Sequence, residues 1–130
     1  MSTKKTALIV VDGAKAGEIA DIINSALHDC QAKLVQAQSF AGTDLLPADV
    51  FFLGCESAEP ASFAYLDQML QHINLSGRCC GVFSSDDNAL NYLCTLVKAC
   101  DAKLIEALLV KDPTADSDKI KKWAQDILNG

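Results

Sequence analysis

Short apolar runs alternate with stretches of helical period along this chain, and that alternation limits its possible folds more than any other feature. The runs are TALIVV, KLVQAQ, VFFLGC, CCGVF and LIEALLV. Between and after them, apolar residues recur at helical spacing. One set is Ile19, Ile22, Ile23, Ala26 and Leu27, and the next is Phe63, Leu66, Leu70 and Ile73. Then come Leu90, Leu93, Val97 and Cys100, and finally Ile120, Trp123, Ala124, Ile127 and Leu128. Such spacing buries one face of a helix, whereas a continuous apolar run buries both faces of a strand. Strands and helices in alternation close as right-handed crossovers onto a parallel sheet with helices on both faces. The expected architecture is therefore α/β, a three-layer α/β/α sandwich around a five-stranded parallel sheet, with residues 1–130 as a single domain. KLVQAQ is more polar than its companions, as suits an edge strand. The link that follows it, SFAGTDLLPAD, has room for little more than one helical turn. Asp86 or Asp87 suits the N-cap of the helix after CCGVF, and Asn129-Gly130 the end of the last helix.

Composition narrows the function. Of the 130 residues, 50% are hydrophobic, enough for a proper core, but no apolar run approaches the ~20 residues that span a bilayer. The leading MSTKKT meets an apolar stretch, Ala7 to Val11, that is too short for a signal-peptide core, so a cytoplasmic location is expected. Net charge is −6. An acidic surface lacks the clustered Lys and Arg that displace counterions from nucleic acid, and it suits steering toward a basic protein partner. Six cysteines (Cys30, Cys55, Cys79, Cys80, Cys94 and Cys100) form no CxxC pair, and His28 and His72 stand far from any paired thiols. That spacing is not one of metal ligands. The adjacent Cys79 and Cys80 should face opposite helix layers.

Ligands of open parallel sheets bind beyond the carboxyl ends of the strands, where strand order reverses. Three loops should meet there: DGAKAG after the first strand, CESAEP after the third and SSDDN after the fourth. The candidate binding residues are Asp12, Gly13, Ala14, Lys15 and Ala16 in the first loop. The second offers Cys55, Glu56, Ser57 and Ala58, and the third Ser84, Ser85, Asp86, Asp87 and Asn88. Cys55 invites a separate reading as a redox or nucleophilic thiol, because a helix N-terminus lowers a thiol pKa. Glu56 and Glu59 oppose that effect, and a buried structural cysteine is the alternative.

These segments resemble the flavodoxins. ADVFFLGCES resembles the pattern of a buried strand ending in Gly and a short Ser-containing loop. NLSGRCCGVFSSDDN looks like the run of apolar strand and acidic loop, and YLCTLVKACDAKLIEALLVKDP like the fourth helix and fifth strand. KIKKWAQDIL looks like the closing helix, Trp included. The resemblance covers nearly the whole chain and is of the short-chain type. It implies strand order 2-1-3-4-5 and electron transfer through non-covalently bound FMN. Residue by residue, however, Gly13, Ala14, Lys15 and Ala16 stand where that family carries a Thr-Gly-Asn-Thr phosphate loop. Ala58 and Ala89 stand at the positions of the flavin-stacking aromatics, with Tyr92 as a substitute. An electron carrier with a basic redox partner and a cofactor-free protein that binds another protein through Glu56, Glu59, Asp86 and Asp87 both remain open. A response-regulator receiver has related topology, and IVVDG and Lys111 near Pro113 resemble it. Its phospho-acceptor aspartate, however, is replaced by Gly54 and Cys55.

Overall fold

The computed structural model describes residues 5–28 and 30–129. The strands are β1 (Thr6–Val11), β2 (Gln31–Gln36), β3 (Val50–Gly54), β4 (Cys79–Ser84) and β5 (Lys103–Leu109). The helices are α1 (Ala14–Ala26), α2 (Gly42–Leu45), α3 (Ala64–Leu70), α4 (Asp87–Ala99) and α5 (Ser117–Asn129), with 3-10 turns at Ala37–Ser39 and Ala61–Phe63. All strand pairings are parallel, in the order β2-β1-β3-β4-β5. The order reverses between β1 and β3, which makes the carboxyl ends of those two strands the switch point.

Alternation along the central strands divides the core into two layers. Leu8, Val10, Phe51, Leu53, Cys80 and Val82 pack with Phe63, Leu66, Leu93 and Val97 beneath α3 and α4. Ala7, Ile9, Val11, Val50, Phe52 and Phe83 pack with Ile19, Ile23, Ile120, Trp123 and Ile127 beneath α1 and α5. Cys80 belongs to the first layer and Cys79 packs against the second, as their adjacency in one strand requires. Trp123 lies edge-on to Phe52 and Phe83, with ring centroids 5.6 and 6.2 Å away. Its indole N–H donates to the carbonyl of Glu106 at 3.2 Å. The Gln125 amide donates to the Ala26 carbonyl and joins α5 to the end of α1.

Two local expectations shift. β2 begins two residues before KLVQAQ, because the Gln31 N–H donates to the Lys5 carbonyl at 3.0 Å and starts the ladder there; Ala37 and Gln38 turn off into a 3-10 turn. Ile73 lies beyond the end of α3 at Leu70 yet still packs against the same core layer. Asn129 is the last residue of α5, and Gly130, expected with it at the helix end, lies outside the described residues. The link between β2 and β3 carries one four-residue helix, α2. Among the described residues, no helix is long and apolar enough to cross a membrane.

Candidate functional site

The three loops sit side by side beyond β1, β3 and β4. The first is short: only Asp12 and Gly13 separate β1 from α1. The Asp12 N–H donates to the Gly54 carbonyl at 3.0 Å, so the ends of β1 and β3 are joined there. Gly13 is the N-cap of α1, with φ 104 and ψ 152, a region open to glycine alone. It provides no side-chain cap, and the first turn of α1 holds no acidic residue. A carboxylate reaches this helix end from the second loop instead. A Cβ built on Gly13 would lie 1.8 Å from Oε2 of Glu56, so the Glu56 carboxylate rests directly against the Gly13 backbone. The positive end of a helix dipole favours such a neighbour.

The second and third loops are pinned from below. The Ser84 hydroxyl is buried at the end of β4; it donates to the Cys55 carbonyl at 2.6 Å and accepts from the Asp86 N–H at 3.0 Å. One hydroxyl thus holds both loops. Asp86 then caps α4 by accepting from the Ala89 N–H at 2.9 Å. From the far side, Lys111 donates to the Ser85 carbonyl at 2.7 Å and the Val110 N–H to the Ser84 carbonyl at 2.9 Å. Glu59 turns the second loop with φ 50, a left-handed conformation uncommon outside glycine.

Of the residues expected to line a ligand, Gly13, Ala14, Lys15, Ser57, Ala58, Asp87 and Asn88 are exposed. Asp12, Glu56, Ser85 and Asp86 are half-buried. Ala16, Cys55 and Ser84 turn their side chains inward. Ala16 lies in the core beneath α1, Cys55 belongs to the layer beneath α3 and α4, and both hydrogen bonds of Ser84 are internal. Ala89, read as an aromatic-stacking position, is also fully buried, in the first turn of α4. Tyr92 is tied to α3. Its hydroxyl donates to Asp67 at 2.8 Å, its ring lies 6.4 Å from that of Phe63, and burial with the Asp67 bond raises its pKa. Beside it, Glu59, Pro60, Ala61, Ala64, Asp67 and Tyr92 line an open depression of about 260 Å³.

The electrostatics of Cys55 register how closely the loops converge. Burial, reinforced by the carboxylates of Asp12, Asp86 and Glu56, pushes its thiol up to about 12. The reactive form of cysteine is the thiolate, and burial and the nearby carboxylates both disfavour it at Cys55. Burial and an acidic residue from each loop fit the reading of Cys55 as a buried structural cysteine.

No family model and no curated protein matches the sequence. Solved structures do. The flavodoxin of Streptococcus pneumoniae TIGR4 superposes with a TM-score of 0.83 at 20% identity, over 95% of this chain and 98% of that one. A short-chain flavodoxin associated with a PDU bacterial microcompartment gives 0.85 at 15% identity, over 98% of both chains. The fold is that of the flavodoxins. Fusobacterium nucleatum flavodoxin bound to flavin mononucleotide shares the flavodoxin fold with this chain at a TM-score of 0.74 and 13% identity, over 98% of both chains.

Three features of the site escape sequence reasoning: the Ser84 bridge, the Lys111 tether and the closure of Glu56 on Gly13. A serine ending an apolar strand is a usable signal for the first, since a buried hydroxyl needs partners. The other two join residues from separate crossovers and leave no local trace.

Proposed function

We propose that this flavodoxin-fold chain works by binding a basic protein partner at its loop end and does not hold FMN there. The observation that carries the reading is the Glu56 carboxylate lying against Gly13 at the positive end of α1. A phosphate dianion brought to that helix end meets a negative charge already in place, with Asp12 beside it in the sequence. The first loop has no hydroxyl to offer, and Lys15 is its one cation. Each hydrogen bond to a charged group contributes about 1.5–3 kcal/mol, so a loop without two or three of them holds phosphate weaker by orders of magnitude. Neither Ala58 nor the buried Ala89 gives an isoalloxazine ring a surface to stack on. These residues do not fit FMN. What they do form is an acidic rim of Asp12, Glu56, Glu59, Asp86 and Asp87 across three neighbouring loops, suited to steering a cationic surface into contact.

FMN-based electron transfer is the second reading. It is favoured by the flavodoxin neighbours, one of them bound to flavin mononucleotide, and by their near-complete overlap with this chain. One titration separates the two. The purified chain is titrated into FMN and, separately, riboflavin, with flavin fluorescence quenching as the readout. The first reading expects no phosphate-dependent quenching into the high micromolar range. Tight quenching by FMN with little by riboflavin would replace it with the electron-carrier reading.

A further inference from the structure

We infer that Glu56 is a built-in plug that keeps phosphoanions off the first turn of α1, and that its charge is a specificity determinant of this helix end. The inference rests on the proposed function and deepens it. α1 is a 13-residue helix whose N-cap is a glycine with no side chain and whose first turn has no acidic residue. Such an end attracts anions through its open amides and dipole, and Lys15 adds a cation in the first turn. By its backbone alone, therefore, the helix end is competent for phosphate.

The backbone that carries the plug is set by the scaffold. Glu56 follows Cys55, whose side chain is buried and whose carbonyl is fixed by Ser84 at 2.6 Å. Gly54, one residue earlier, is joined to Asp12 at 3.0 Å. The Glu56 backbone is thus set beside the β1–α1 turn, and its side chain has a short span to cross. The missing Cβ of Gly13 is the space into which the carboxylate fits: Oε2, Cδ and Cγ of Glu56 all lie within 2.9 Å of where that atom would be. Glycine here serves both the backbone conformation and the seat of the plug.

The test compares the wild type with Glu56→Gln, which keeps the shape and removes the charge, and Glu56→Ala, which removes both. Affinities for FMN and riboflavin are measured by quenching, and inorganic phosphate is used as a flavin-independent probe in a thermal shift. Circular dichroism confirms that each variant is folded; Glu56 is a half-exposed loop residue and both variants are expected to fold. Removing the charge should strengthen FMN binding by about tenfold relative to riboflavin, and should add a phosphate-induced rise in melting temperature absent from the wild type. Lys15→Ala placed on the Glu56→Gln background should cancel that gain. An unchanged ratio of FMN to riboflavin affinity in both folded variants, with no phosphate response, overturns the plug. The broader reading fails differently: it falls if the wild type itself binds FMN tightly and in preference to riboflavin.

Discussion

The N-termini of α1 and α4 lie at the same end of the sheet, each following a strand, and they are finished in opposite ways. α4 is closed by its own sequence. Asp86 accepts from the Ala89 N–H, Asp87 adds a first-turn carboxylate, and Ser84 and Lys111 anchor the loop from either side. α1 is closed from outside: Gly13 contributes only a backbone conformation, and the nearby negative charge arrives from Glu56 on another crossover. A local cap stabilises its helix without regard to the rest of the fold. A borrowed charge leaves the helix end dependent on tertiary structure and open to change by a single substitution in a different loop.

Substitution at each cap should sharpen the contrast. Gly13→Ala forces a side chain into a conformation reserved for glycine and into the seat of Glu56, with an expected cost of about 2 kcal/mol; urea denaturation reads it. Since the far end of Glu56 can swing aside, most of that loss is backbone strain. Double substitution with Glu56→Ala should therefore recover little of it. Asp86→Ala removes one side-chain cap and should cost about 1 kcal/mol, with hydrogen exchange rising in the first turn of α4 and staying level in α1. Equal losses at the two positions would erase the distinction.

A third test concerns the thiol between the two helix ends. Burial and three carboxylates raise Cys55 from an ordinary value of 9.0 to about 12. Below pH 9 the thiol is neutral whether the chain is folded or not, and this contribution to stability is fully present. Between about 9 and 12 the unfolded chain ionises there and the folded one does not, so stability falls as pH rises. Cys80, Cys94, Cys100 and Tyr92 are shifted the same way. The urea midpoint should drop between pH 8 and pH 10, and at pH 8 iodoacetamide should label Cys55 far more slowly than a thiol in a short peptide. Labelling at the peptide rate would show that the loops part readily.

The succession of strands and helices and their layering were legible because they rest on burial, which leaves a periodic mark; the strand order was implied by the resemblance to the flavodoxins. VFFLG is buried on both faces and TALIVV nearly so, while Ile19, Ile23 and Ile120, Trp123, Ile127 trace single helix faces. The edge strand was read two residues late because β2 is only partly buried, and pairing with β1, rather than its own pattern, sets where it begins. At the site, the loops and their acidity were legible, and the N-cap was narrowed to Asp86 or Asp87, of which the structure has Asp86. The inward turn of Ala16, Cys55 and Ser84 was not, since a loop residue's direction depends on what it meets across the sheet. Ala89 shows the same limit: matching it to an aromatic position by order along the chain said nothing of its burial at the foot of α4.

The packing around Gly54 has an optical consequence. The Phe83 ring covers Gly54 so closely that a Cβ there would lie 2.2 Å from it, and Trp123 stands edge-on to Phe83. Trp123 is the only tryptophan in the chain, so its indole emission reports from one place, two contacts away from the point where β1 and β3 are joined. The molecule therefore carries an internal lamp on the wall of its own switch point, and the colour and intensity of that emission record how firmly the wall is packed without any dye or label.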